Sequence, residues 1–225
     1  MAQVLRQHPK LNFVPGTKYA YSNIDYWLLG KIIERVTGSS YCDYIRANVL
    51  APLALNSSEM GFEVSNPALH AKGYLAKWSV MNLLKPFITD RQFWAGYEGK
   101  WLYLKELYPN GPSFGGLIGT ASAFSLFLQD QLRDESVLFN RKTKGLFETQ
   151  QETSEGKAIP MTLGWHIGAT NGVRYLFKEG GGGGFHCEMR IYPTHRIGTI
   201  VMANSTDLVT TALLNRLDRE LMEEG

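Results

Sequence analysis

At 225 residues the chain can bury a full-sized core, as one large domain or one interleaved pair of subdomains. Apolar residues make up 44% and charged residues 20%, and 23 Lys plus Arg stand against 21 Asp plus Glu, a formal charge of +2. So small a bias, with no basic cluster recognised among the aromatics, argues against a nucleic-acid partner. No apolar run reaches the length of a membrane span, and the opening Met1-Ala2-Gln3-Val4-Leu5-Arg6 lacks a signal-peptide pattern. The expected location is therefore cytoplasmic by default, or secreted or periplasmic if a leader was lost with the N-terminus. Cys42 and Cys187 form no CxxC motif, and the histidines at 8, 70, 166, 186 and 195 lack ligand spacing for zinc. No metal and no cofactor are expected.

In chain order, Val14-Pro15-Gly16-Thr17 reads as a turn, and Tyr21-Ser22-Asn23 opens a helix through capping side chains. Ile24, Leu28 and Ile32, flanked by Leu29, Ile33 and Val36, give that helix a broad apolar stripe ending at Gly38. Ser40 with Asp43 reads as an acidic capping box for a second helix that stops before Pro52. Residues 56–112 are rich in aromatics and read as short helices and long loops. Thr120 caps a helix carrying Phe124, Phe127, Leu128 and Leu132. From residue 163 the pattern is β. Strands are expected around 163–168, over Val173–Phe177, over Phe185–Tyr192 with alternating polarity, and over Ile197–Ala203, whose two apolar faces suggest a central strand. A helix over Asp207–Glu224 closes the chain. The result is an α+β protein with a mainly helical part at 1–158 and an antiparallel sheet with its C-terminal helix at 159–225.

Between the second and third strands stand Lys178-Glu179 and five glycines, Gly180 to Gly184. Glycines feeding a strand permit close approach of another backbone or a ligand. The run lacks the G-K-[ST] ending of a phosphate loop. Gly111-Pro112-Ser113-Phe114-Gly115 matches the G-x-S-x-G of a nucleophile elbow, but no strand before it and no helix directly after it support that role.

Tyr21-Ser22-Asn23 and Lys178-Glu179-Gly180 carry a resemblance when taken in order with Phe13-Val14-Pro15-Gly16, Thr37-Gly38, Pro52-Leu53, Gly115-Gly116-Leu117, Thr120-Ala121 and Gly164-Trp165. The chain resembles the serine β-lactamase and penicillin-binding superfamily, in the branch of class C β-lactamases, D-alanyl-D-alanine carboxypeptidases and related esterases. The resemblance implies a β-lactamase-like α+β fold and acyl transfer by a serine, with no cofactor. It makes Tyr21 and Lys178 the catalytic pair, the lysine supplying the cation that a phenol of pKa near ~10 needs to act as a base at neutral pH. It also makes Asn23 a substrate-orienting amide and puts an oxyanion-hole N–H in the Gly180–Gly181 backbone.

The family's Ser-x-x-Lys motif is expected well before the tyrosine segment, so the central helix, its nucleophile and the first strands read as absent. The one match, Ser154-Glu155-Gly156-Lys157, has a glycine where a helix should run. Ser22, Ser113 and Ser154 are the substitutes to test. Glu179 replaces the usual small hydroxyl residue, is expected to pair with Lys178, and turns the expected substrate from a β-lactam or D-alanyl peptide toward short acyl esters. The alternative is a catalytically inactive, truncated homologue acting as a binding or assembly module. In either case homodimerisation, strand exchange or a partner that supplies the missing segment is expected.

Overall fold

A computed structural model describes residues 2–108 and 111–223. After the short helix α1 (Ala2–Gln7), the Ser22 hydroxyl accepts the Asp25 N–H and starts helix α2 (Asn23–Thr37), which Gly38 ends in the left-handed conformation. Ser40 caps α3 (Tyr41–Ile45) by accepting the Asp43 N–H while its own hydroxyl donates to the Asp43 carboxylate. The chain continues through a wider turn, Arg46–Leu50.

The aromatic stretch differs from its loop reading. Strand β1 (Met60–Gly61) is followed by β2 (Gly73–Ala76), helix α4 (Val80–Ile88), and the hairpin β3 (Trp94–Glu98) and β4 (Trp101–Leu104). These strands form a three-stranded antiparallel sheet in the order β2-β4-β3, built on Leu75, Leu102 and Leu104 with Trp94 against them. The strands are four or five residues long with aromatics on both faces, so no clean alternation marks them. Next, β5 (Ile118–Gly119) pairs with β1, and Thr120 caps α5 (Ala121–Leu132). Helix α6 (Arg141–Glu148) follows.

Four strands then form an antiparallel meander in the order β6 (His166–Thr170), β7 (Val173–Gly182), β8 (Phe185–Tyr192) and β9 (Ile197–Ala203). Helix α7 (Thr210–Glu223) closes the described chain, and the expected last residue Glu224 lies outside the described residues. One face of the meander packs on α5 through Leu128, Trp165, Leu176 and Ile191, each such buried side chain contributing on the order of 2 kcal/mol. The strand β9 is at the end of the sheet, not its centre. Its face toward α5 meets Leu128 and Leu132 at Gly198, and α7 packs on the sheet as well, so helices rather than flanking strands account for its apolar faces.

The alternation of β8 holds, but its polar face is not open to solvent. Glu188 and Arg190 are at most 1% exposed, beneath α7. Arg190 donates to Glu188 at 2.7 Å and to Asp218 at 3.0 Å, Tyr192 donates to Asp218 at 2.6 Å, and the Thr210 and Thr211 hydroxyls donate to Glu188. Burial, reinforced by the hydrogen bond to Asp218, pushes the Tyr192 phenol well above its ordinary range.

The glycine run also differs from its first reading. Gly180 to Gly182 belong to β7, and only Gly183 and Gly184, with φ of 60° and 83°, form the two-residue turn to β8. The turn is docked on the other sheet. The Tyr74 N–H donates to the Gly184 carbonyl at 3.0 Å, and a Cβ on Gly184 would lie 2.4 Å from the Gly73 backbone.

Candidate active site

The helix start at Ser22 and the outer half of β7 meet at one cleft of about 180 Å³. Its walls are Tyr19, Ala20, Tyr21, Ser22, Asp25, Tyr26, Met161 and Lys178. The capping of α2 by Ser22 fixes the local geometry. Asp25 and Tyr26 then fall within its first turn, three and four residues on, so they share a face with the cap.

Tyr21 and Lys178 are 157 positions apart in the sequence, yet both line this cleft. The Lys178 amine donates to the Tyr26 hydroxyl at 3.2 Å and lies 4.9 Å from the centre of its ring, so the phenol it contacts is Tyr26. The Tyr21 hydroxyl donates to Asn23 Oδ1 at 2.8 Å, and Tyr21 is 64% exposed. Tyr26 was not singled out from the sequence. Its position one helical turn beyond Ser22, on the capped face, was the available signal. Asn23, Gly180 and Gly181 do not line the cleft.

Strand alternation separates Lys178 from Glu179, and the expected pairing between them does not form. Lys178 shares the α5 side of the sheet with Leu176, whereas the Glu179 carboxylate accepts from His186 Nε2 across the ladder at 2.7 Å. The other ring nitrogen, Nδ1, faces the Leu208 carbonyl at 3.0 Å. Burial and then the Lys178 cation hold the His166 imidazole below its ordinary pKa, and burial raises the Cys187 thiol opposite Gly180. Burial, followed by the neighbouring Tyr26 and Tyr21, raises the Tyr19 phenol.

Three serines were candidates for the nucleophile. Ser22 lines the cleft while its oxygen accepts the capping bond. Ser113 sits against α2, where a Cβ on Gly30 would come within 2.4 Å of its oxygen. Ser154 lies in a turn whose N–H donates to the Gly16 carbonyl, with Gly156 at φ 78°, so its Ser-x-x-Lys match is not helical.

Beside the cleft, β6 pairs with β7 only as far as Phe177, so from Lys178 to Gly182 no strand among the described residues pairs with that side of β7. Gly180, Gly181 and Gly182 are exposed. An unpaired, side-chain-free edge beside a cation and phenols can present backbone N–H groups to a carbonyl oxygen or an extended ligand. No group of His, Cys, Asp and Glu among the described residues is arranged to hold a metal ion.

Comparison with known proteins agrees with this architecture. The chain is 25% identical over 218 residues to a D-aminopeptidase of Brucella ovis, which covers 97% of this chain and 38% of the relative. The chain therefore spans well under half the length of such curated relatives. An octameric penicillin-binding protein homologue from Pyrococcus abyssi superposes with a TM-score of 0.77 at 22% identity, over 99% of this chain and 46% of that one. A D-amino acid amidase from Ochrobactrum anthropi in complex with L-phenylalanine superposes with a TM-score of 0.76 at 16% identity, over 100% of this chain and 66% of the other. The profile of the Beta-lactamase family matches residues 1–223, and the chain belongs to that family.

Proposed function

We propose that this chain carries the base and electrostatic half of an acyl-transfer site, acting on short acyl esters or small amides. The observation that supports it is the shared cleft, whose lining includes both Tyr21 and Lys178. Tyr21 is the general base or its partner, Lys178 the cation that favours the phenolate, and Tyr26 holds the lysine in place. Asn23 and the open Gly180–Gly181 edge lie outside the cleft lining; for a substrate that extends past it, Asn23 supplies an orienting amide and the edge a donor to the developing oxyanion, worth about 3 kcal/mol in the transition state. Glu179 faces away, toward His186, which removes one argument against a substrate carboxylate. Asp25 on the cleft wall favours a substrate with an ammonium group. That feature, together with the activity named for the D-aminopeptidase and D-amino acid amidase relatives, makes small D-amino acid amides the substrate to set against esters.

The test combines labelling and turnover. The protein is incubated with a fluorophosphonate and with a fluorescent penicillin, any adduct is located by peptide mass spectrometry, and hydrolysis of p-nitrophenyl acetate and D-alanine p-nitroanilide is followed. Tyr21→Phe and Lys178→Ala are each expected to lower kcat/KM about a hundredfold to a thousandfold with the fold intact. Turnover untouched by both substitutions would reject this mechanism. An adduct at Ser22 that disappears in Ser22→Ala would assign the nucleophile to the helix cap.

A second reading, a binding or assembly module, is favoured by the outer face of α2, where Ile24, Leu29, Ile32 and Val36 are exposed, and by the open edge of β9. The octameric relative adds to it. Under this reading a second copy, or a partner segment bearing the serine, covers that face. Light scattering over a hundredfold concentration range is expected to show mass rising with concentration. A constant monomer mass with no adduct and no turnover would remove both readings.

A further inference from the structure

The helix α4 is turned inside out. Its one buried residue is Asn82, whose amide donates to the Ala76 and Lys77 carbonyls and to the Tyr97 hydroxyl and so ties the helix to the three-stranded sheet. Its apolar residues face outward: Val80, Leu83 and Phe87, at helical spacing, form an exposed stripe, with Leu84 and Ile88 beside it. Trp78, just before the helix, is 91% exposed and Phe87 is 87% exposed. A helix seated on its sheet by an asparagine, presenting two large aromatics to the outside, is built to meet something apolar.

The surrounding charge says what kind of surface that is. Between Lys72 and Lys105 stand six basic residues against two acidic ones, Asp90 and Glu98, a local charge of +4 where the whole chain carries +2. Glu98 is taken up by Lys72 at 2.6 Å and by the Tyr74 hydroxyl, and Asp90 accepts the Gln92 N–H. Three of the exposed cations lie over aromatic rings. Lys77 lies 5.6 Å from the Trp78 ring centre, Arg91 5.9 Å from that of Trp94, and Lys100 5.7 Å from that of Trp101. The sequence spreads Lys77 to Trp101 over 25 positions, and α4 with the three-stranded sheet carries them on one lobe.

We propose that this lobe is a docking surface for an anionic lipid bilayer, with Trp78, Leu83 and Phe87 entering the headgroup region and Lys77, Arg91 and Lys100 meeting lipid phosphates. Lysine is depleted from the cores of protein–protein interfaces, whereas tryptophan beside lysine and arginine suits the boundary between headgroups and acyl chains. An exposed Leu83–Phe87 stripe has no counterpart on a nucleic-acid backbone. The contact is peripheral, since no helix among the described residues is long and apolar enough to cross a membrane.

Co-sedimentation with phosphatidylcholine vesicles containing about one-third phosphatidylglycerol tests this at low salt and at about 1 M salt, where screening shortens to about 3 Å. Binding is expected at low salt, reduced at high salt, with a blue shift of tryptophan emission that Trp78→Phe removes. Trp78→Ser with Phe87→Ser should lower the partition coefficient at least tenfold, and Lys77→Gln with Lys100→Gln about twenty-five-fold, roughly fivefold per charge. All four side chains are exposed, and circular dichroism checks that each variant is folded. Absence of binding, equal binding to pure phosphatidylcholine, or unchanged binding of the Trp78/Phe87 variant would overturn the proposal. So would a dimer that this variant converts to monomer without any vesicle binding, or retention on single-stranded DNA without vesicle binding.

Discussion

Lys178 owes its position to strand alternation, which turns it toward the cleft and its neighbour Glu179 toward His186. The Lys178 amine is held by a phenol and not by a carboxylate. Tyr26→Phe removes that one bond and is expected to lower kcat/KM about three- to tenfold, in line with about 1 kcal/mol for a single hydrogen bond, and far less than Lys178→Ala. A second consequence falls on His166, whose ring packs 5.1 Å from that of Phe177. Burial and the Lys178 cation lower its pKa in the folded state, so the unfolded chain binds the extra proton first as the pH drops below about 6.5. Stability from this group is present above that pH and is lost as the pH falls toward the lowered folded value. Urea midpoints measured between neutral and mildly acidic pH should decline in the wild type, and His166→Gln should flatten part of that slope.

Among the elements, the β7–β8 hairpin is locked sterically against β2. Its turn glycines do different jobs, although they are neighbours in the same run. Gly184 has φ 83° and its missing side chain would meet Gly73 and Tyr74 backbone atoms at 2.4 Å, while Gly73 faces the Gly183 carbonyl at 2.1 Å from an added Cβ. At Gly183 the nearest neighbour is Leu107 at 3.8 Å, and only its φ of 60° opposes a side chain. Gly183→Ala should therefore cost about 1–2 kcal/mol, the left-handed penalty alone, and Gly184→Ala clearly more, because backbone must move. Gly73→Ala should resemble Gly184→Ala. Chemical denaturation of the three variants checks the order, and equal costs would mean that the two sheets are not locked through this turn. The same docking carries over to the site, because the turn anchors the strand that bears Lys178.

At the scale of the molecule, α5 and α7 clamp the four-stranded sheet from opposite sides with different chemistry. The α5 side is apolar around Leu128, Leu176 and Ile191, and the α7 side carries the buried Glu188–Arg190–Asp218 set. Removing the cation leaves two carboxylates in the dry interior, so Arg190→Met should cost about 3–5 kcal/mol in urea unfolding. Replacing all three together with apolar residues of similar volume should restore most of that loss, since the desolvation cost of the charges disappears with them. If the triple variant is as unstable as Arg190→Met alone, the network contributes a geometry that apolar packing does not replace.

Local pattern was enough for the capped starts at Ser22, Ser40 and Thr120 and for the Phe185–Tyr192 and Ile197–Ala203 strands, because caps and alternation are encoded by near neighbours. The family itself was legible in the same way, from many short motifs in fixed order. Contacts across the chain were not. The three-stranded sheet under α4, the partnership of Lys178 with Tyr26, the turn of Glu179 to His186, and the burial of the polar face of β8 each depend on what a distant segment brings. Alternation says that Glu188 and Arg190 share a face, and only α7, with Thr210, Thr211 and Asp218 in place, turns that face into interior.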